Sequence, residues 1–376
     1  MRTKINKTFN ERFGGEGTMY ASAGRINLIG EHTDYNGGFV FPGAIDKVIM
    51  AELRPNGTGI ARVFSIDIND YAEFGLNEED APSQSWARYI FGVCREIIKR
   101  GGKVEGFDAV FAGNVPLGAG LSSSAALESC FAFALNDMFN DGKIDKFELA
   151  LIGQSTEHNY CGVNCGIMDQ FASVFGKKDH LMRLDCRSLE YEYFPFHPEG
   201  YRLVLVDSVV KHELKDSPYN RRRQSCERVA GRLGVETLRD ATMEMLDAAK
   251  ADISAEDYSR AKFVIEEKQR VLDVCDALIA GDYDTVGRKM YETHRGLSKD
   301  YEVSCEELDF LNDIARECGV TGSRIMGGGF GGCTINLVKD ELADQFIATA
   351  TERFEKAYDH KPKIYPVVIS DGARKL

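Results

Sequence analysis

The chain has 376 residues, 43% of them hydrophobic and 28% charged, with a formal net charge of -13. That length supports a full core and two domains, the composition excludes disorder, and the acidic balance makes nucleic acid a poor partner. No apolar run reaches membrane-spanning length and MRTKINKTFNERFGGEG lacks a signal core, so a cytoplasmic protein with no membrane partner is expected.

In chain order, residues 19–29 and 39–53 read as strands rich in Ile, Val and Phe, broken by the turn DYNGG. Between them, GRINLIGEHTDYNGG (24–38) packs Arg25, Asn27, Glu31, His32, Thr33 and Asp34 around four glycines. So many hydrogen-bonding groups hinged by glycine suit a polar ligand, and the surrounding pattern favours this over the alternative that Glu31 and Asp34 merely solvate a turn. VFSIDI (63–68) continues the sheet, and SWARYIFGVCREIIKR (85–100) has helical periodicity stopped by Gly101 and Gly102. GFDAVFAGNVPLGAGL (106–121) is a strand running into a glycine loop, followed by a serine-started helix over 122–139. A second helix is expected over roughly 146–159 and a third from near Ile167; three strands follow between 180 and 208. From 220 to 317 the pattern is mostly helical; then come a strand–loop–strand at SRIMGGGFGGCTINLV, a helix at 341–358 and a last strand, KIYPVVIS. This order predicts an α+β protein of mixed sheets with helices packed on them, in two domains, 1–185 and 186–376, and not a doubly wound sheet. The 10 cysteines are scattered, and the nearest pair, Cys161 and Cys165, lacks the partners of a zinc site, so reduced thiols are expected.

The strongest chemical signal is NVPLGAGLSSSAALE (114–128). Gly118, Ala119, Gly120 and Leu121 form a loop whose backbone N–H groups can turn toward an anion, and Ser122, Ser123 and Ser124 stand at a helix start where orphan N–H groups gather. Three serines and two spaced glycines exceed what a helix cap requires, so the segment predicts phosphate binding. No Walker pattern is present. Gly327, Gly329 and Gly332 match G-x-G-x-x-G, but the strand CTINLV follows where a dinucleotide fold needs a helix, so this loop is expected to lie against a ligand or against the first loop.

Taken together, GRINLIGEHTDYNGGFVFPGAID, GNVPLGAGLSSSAALE and SRIMGGGFGGCTINLV resemble the motifs of the GHMP kinases, and NCGIMDQFAS and YNRRRQ are similar to the galactokinase branch. The matches run in order from residue 24 to about 338 with no departure at motif positions, and Ser124-Ala125 is intact where the catalytically silent, galactose-sensing relatives are altered. The resemblance implies a two-domain fold with the active site between the domains, ATP and Mg²⁺ as cofactors, and transfer of the γ-phosphoryl group to the C1 hydroxyl of galactose. It implies Asp169 as base and Arg25 as its partner at the transferring phosphoryl group. Glu31, His32, Asp34, Gly166 and Tyr219 would contact the sugar, residues 118–124 the ATP phosphates, and Ser124 with Glu157 the metal. Sequence alone reads Glu157 as a solvated helix acid, Asp169 as an acid favoured at a helix start, and His32 as a brace for its loop as readily as a ligand. Three consecutive arginines, Arg221 to Arg223, point in different directions on a helix and are left outside the site. The rivals are a kinase for N-acetylgalactosamine or arabinose, a regulator that binds galactose and ATP without catalysis, and a glycosidase using Glu31 and Asp34, which leaves the glycine loops unexplained. A monomer is what the resemblance implies.

Overall fold

The computed structural model describes every residue except 78–80 and 211–217. Its largest sheet has six strands in the spatial order Arg374–Lys375, Thr18–Asn27, Pro42–Pro55, Phe107–Gly113, Ile60–Ser65 and Asp70–Gly75. Neighbours are antiparallel except Ile60–Ser65, which runs parallel to Phe107–Gly113. The helices Ser85–Lys99, Ser123–Phe139, Lys146–Thr156 and Met168–Phe175 bury apolar side chains such as Phe91, Phe131, Ile152 and Phe171 in the core they share with this sheet. A four-stranded antiparallel sheet, in the order Gly322–Ile325, Cys333–Lys339, Tyr201–Asp207, Lys363–Val367, carries the helices Glu306–Glu317 and Asp340–Tyr358 over its own core. A small sheet of Phe39–Val40, His180–Asp185 and Tyr191–Pro195 and the helices Pro218–Leu233, Ala255–Ile279 and Tyr283–Arg295 complete the α+β arrangement. Among the described residues no helix is long and apolar enough to cross a membrane.

Several local expectations shift. The N-terminal segment forms a helix, Arg2–Phe13, that the periodicity reading passes over because its buried stripe is only Ile5 and Phe9 among charged residues. The expected strand 39–53 divides at Phe41: Phe39–Val40 joins the small sheet and Pro42–Pro55 the large one. The expected helix 146–159 is α-helical only to Thr156 and then opens into a π-helical turn, Glu157–Cys161, a distortion that often marks a functional position. The last strand stops at Val367, and the chain crosses back so that Arg374–Lys375 edges the first sheet.

Candidate active site

The first feature that aims side chains is a break in the pairing of Thr18–Asn27 with Pro42–Pro55: the register shifts between Ala23 and Arg25. Irregularities of this kind re-aim a side chain. Gly24 sits inside it, where a Cβ would lie 2.8 Å from the Leu121 carbonyl oxygen, and the Arg25 N–H donates to that carbonyl at 3.1 Å. The strand is thereby fastened to the loop 118–124, and Arg25 points into a cavity of about 560 Å³.

Arg25 makes a two-pronged contact with Asp169, Nε to Oδ1 at 2.7 Å and Nη2 to Oδ2 at 2.9 Å, while Nη1 donates to the Gly120 carbonyl. Burial works to lower the Arg25 guanidinium's pKa, but the Asp169 carboxylate outweighs it and holds Arg25 above its ordinary value. Ser122 Oγ also donates to Asp169 Oδ2. That contact is absent from the sequence reading, and it diverts the residue that would cap the helix Ser123–Phe139: Ser122 makes no side-chain cap bond. With the cap hydroxyl turned away and no acid in the first turn, the N–H groups at this helix start remain for an anion. Gly118, Gly120 and Ser122 all have φ near +56° to +76°, the alternation that turns backbone N–H groups into a concave nest. Gly118, Gly120, Leu121, Ser122, Ser123 and Ser124 line the cavity; Ala119 does not, its side chain being fully buried beneath the loop. The second glycine loop packs on the first: a Cβ on Gly327 would lie 3.3 Å from the Gly120 oxygen, and one on Gly332 would lie 3.4 Å from Ala119.

The same cavity is lined by Glu31, His32, Asp34, Glu157, Gly166, Asp169 and Tyr219. Glu31 Oε1 accepts from Arg324 Nη2 at 3.0 Å and from the Gly327 N–H at 2.9 Å. Arg324 is 0% exposed and also donates to the carbonyls of Leu28, Ile325 and Asn27. It is a residue that sequence reasoning missed; its signal was a lone charge in the apolar strand just ahead of a glycine loop, which a buried position tolerates only when paired. Glu267, equally buried, was missed too: it accepts from the Gly30 N–H, Thr293 and Arg270, and so anchors the same loop from a distant helix.

Asp34 explains Gly166, since a Cβ there would sit 1.9 Å from Asp34 Oδ2. Burial, with the Asp169 and Glu31 charges adding, pushes the Asp34 carboxyl up to about 7. Burial does the same to Glu157, also to about 7, against a hydrogen bond from Ser124 that favours ionisation. Glu128, another carboxylate unremarked in the sequence reading, lies nearby; burial and the Glu157 charge raise it well above its ordinary value, and its Oε1 has no hydrogen-bond partner. His32 is pushed down to about 3 by burial and by the Arg222 charge, so its ring is neutral. Tyr219 packs beside it at a tilt, with ring centroids 5.3 Å apart. Of the three arginines none lines the cavity; Arg222 instead holds the carbonyls of Tyr301 and Glu302.

Comparisons with known proteins bear on this arrangement. Residues 7–55 match the galactokinase galactose-binding signature, 88–177 the N-terminal domain of GHMP kinases and 275–356 their C-terminal domain. A galactokinase of Thermotoga petrophila is 42% identical over 354 residues, 94% of this chain and 98% of the relative. That of Bacillus subtilis is 40% identical over 399 residues, 100% and 99% of the two chains. The crystal structure of Lactococcus lactis galactokinase complexed with galactose superposes with a TM-score of 0.95 at 32% identity, covering 100% of both chains. The mevalonate kinase of Methanococcus jannaschii, at 16% identity and TM-score 0.68 over 95% of this chain and 99% of its own, shares the fold.

Proposed function

We infer that this chain, which belongs to the galactokinase family, is an ATP-dependent sugar kinase that phosphorylates the C1 hydroxyl of galactose. The observation that carries the reading of the site is the Arg25–Asp169 pair, held between the phosphate nest on one side and the loop 24–38 on the other. We assign Asp169 as the base. Its oxygens already accept from Arg25 and Ser122, yet a carboxylate has about four lone-pair positions, which leaves room for the sugar hydroxyl. The guanidinium fixes the carboxylate's orientation through two hydrogen bonds. A loose phosphoryl-transfer transition state, in which the hydroxyl proton leaves late, asks for positioning more than for a strong base. Arg25 also stands where it can offset charge on the transferring phosphoryl oxygens.

Glu31, His32, Asp34, Gly166 and Tyr219 are proposed to seat the sugar. Glu31 keeps its second oxygen for a hydroxyl, and Asp34 accepts from another once ionised. Because carboxylates aimed at a hydroxyl lose their partner when an epimer enters, discrimination on the order of 10⁴-fold is within reach of such a site. Residues 118–124 are proposed to hold the ATP phosphates, Ala119 through its backbone alone.

A divalent cation fits the donor set. Ser124 and Glu157 offer the hydroxyl and carboxylate oxygens that Mg²⁺ prefers, and one or two protein groups are its usual share when phosphates supply the rest. Glu157 is only 6% exposed, and among the described residues it has no ion pair, as suits a carboxylate whose countercharge arrives with a ligand. When bound, Mg²⁺ would neutralise phosphate charge.

The proposed division at about residue 185 puts the phosphate loop and Asp169 in the first domain and Arg324 in the second. A cytoplasmic monomer is the proposed state. The test is ADP release with ATP and a panel of galactose, N-acetylgalactosamine, arabinose and glucose. Turnover fastest with galactose is expected; preference for a 2-substituted sugar or arabinose would reassign the substrate, and no turnover with any sugar would favour a regulator.

A further inference from the structure

His32 is held in an uncommon backbone conformation, φ +61°, at the edge of the cavity. Its Nδ1 lies 2.7 Å from Tyr35 Oη, which lies 2.7 Å from Tyr301 Oη, which lies 3.2 Å from Cys226 Sγ. The other ring nitrogen, Nε2, is buried without a hydrogen bond of ordinary geometry, although the Gly328 backbone, which lines the same cavity, acts on the ring and favours its protonated form. The four groups come from three parts of the chain: the loop carrying His32 with its adjoining turn Asp34–Asn36, the residue closing the π-helical turn Gly296–Asp300, and the helix Pro218–Leu233. Tyr301 is fully buried and packs against the His32 ring with centroids 4.9 Å apart.

We propose that Tyr35 and Tyr301, backed by Cys226, are positioning residues whose hydrogen-bonded chain fixes which nitrogen of His32 carries its proton, and so the role that Nε2 presents to the sugar. The argument is one of proton counting. Burial raises both phenols well above their ordinary range, so each keeps its single hydrogen, and the neutral imidazole has one N–H. Each hydroxyl can donate only once, so the hydrogens along the chain must all point the same way. Pointing toward sulfur, they make Nδ1 the donor and leave Nε2 an acceptor; pointing from sulfur, they make Nδ1 the acceptor and leave Nε2 a donor. Each sense corresponds to one tautomer, so the imidazole can change tautomer only if all the hydrogens of the chain reverse together, and a tautomer locked in this way lets the sugar meet a fixed donor or acceptor without reordering the site. The Tyr219 and Tyr301 rings, at 5.3 and 4.9 Å, keep the imidazole from turning over.

The proposal rests on the sugar-kinase reading for its kinetic part and stands apart from it for its spectroscopic part. Two-bond ¹⁵N–¹H correlation spectra of the full chain, with His32 assigned by comparison with His32→Asn, report the tautomer in the absence of any sugar. The wild type is expected to show one tautomer, and Tyr35→Phe, which removes the Nδ1 partner, a mixture or the opposite form. In assays with galactose and ATP, Tyr35→Phe should raise the galactose KM by roughly 3–10-fold, the worth of one neutral hydrogen bond, with kcat and the ATP KM changed less than about twofold. Tyr301→Phe should move the galactose KM in the same direction by less. A wild type that already mixes tautomers, or a Tyr35→Phe protein with an unchanged spectrum, overturns the proposal. A shifted tautomer with an unchanged galactose KM overturns its link to the sugar. A wild type that phosphorylates no sugar defeats the functional reading and leaves the spectroscopic half standing.

Discussion

Two sets of acids gather at the cavity. In one they are already paired: Glu31, which lines the cavity, lies 3.0 Å from Arg324, and Glu267, which holds the Gly30 N–H from behind the lining, lies 2.6 Å from Arg270. In the other, Asp34 and Glu157 on the lining and Glu128 near Glu157 have no ion pair among the described residues, and burial raises all three. Asp169, fastened to Arg25, lines the same cavity. The first set is therefore built before any ligand arrives, and its rigidity belongs to the folded chain itself. The second carries a desolvation cost that sugar hydroxyls and a cation would relieve, so part of its cost in stability is recovered only on binding.

Three changes break or sharpen that contrast. The largest effect is expected from the paired set. Arg324→Met leaves the buried Glu31 without its countercharge beside three carbonyls that lose their donor, and breaking such a pair costs about 3–5 kcal/mol. Denaturant unfolding should show that loss, together with a raised galactose KM. A variant as stable as the parent would mean that the site's rigidity does not depend on the pairing. A smaller and more local effect follows from Gly166→Ala, because the new methyl would press on the Asp34 carboxylate. Displacing that oxygen should raise the galactose KM roughly tenfold, in line with the 1–3 kcal/mol typical of overpacking, while the ATP KM stays put. An equal rise in both constants would point instead to general distortion.

The smallest effect concerns the unpaired set. Asp34 has a raised pKa, about 7, in the folded protein. Between its unfolded value and 7 the folded chain therefore holds a proton that the unfolded chain releases, and this group makes stability fall as pH rises through that window. Asp34→Asn removes the term. It should raise the melting temperature by roughly 2–4 °C at pH 8, by less at pH 5, and weaken galactose binding at both. A variant that melts lower than the parent at pH 8 would show that Asp34 is stabilised where it sits. The same titration predicts that the parent's galactose KM rises as pH drops below about 7.

The contrast also marks how far a single sequence could be read. Features with a local signature were legible: glycine spacing marked the loop that lines the cavity, and the strand CTINLV after the second glycine loop excluded a dinucleotide fold. Asp169 stands in the first turn of its helix, as its context suggested. What was not legible depends on pairs far apart in the chain. Arg324 and Glu31 are separated by 293 positions, Glu267 and Gly30 by 237, and Tyr301 and Tyr35 by 266. No periodicity encodes such meetings; they follow from sheet topology. The contact of Ser122 with Asp169 was not legible for another reason: a serine in a glycine loop at a helix start already has a reading as an anion contact or cap, and nothing nearby reveals that its hydroxyl turns to Asp169. The helix Arg2–Phe13 was overlooked because a stripe two residues wide carries little signal.

The most direct test of the account is Asp169→Asn, measured by single-turnover phosphoryl transfer beside galactose calorimetry. The amide keeps the size of the side chain and can still accept from Arg25, so galactose should bind within about tenfold of the parent while turnover falls by on the order of 10³-fold or more. Turnover close to that of the parent would contradict the assignment of the Arg25–Asp169 pair as the reacting centre.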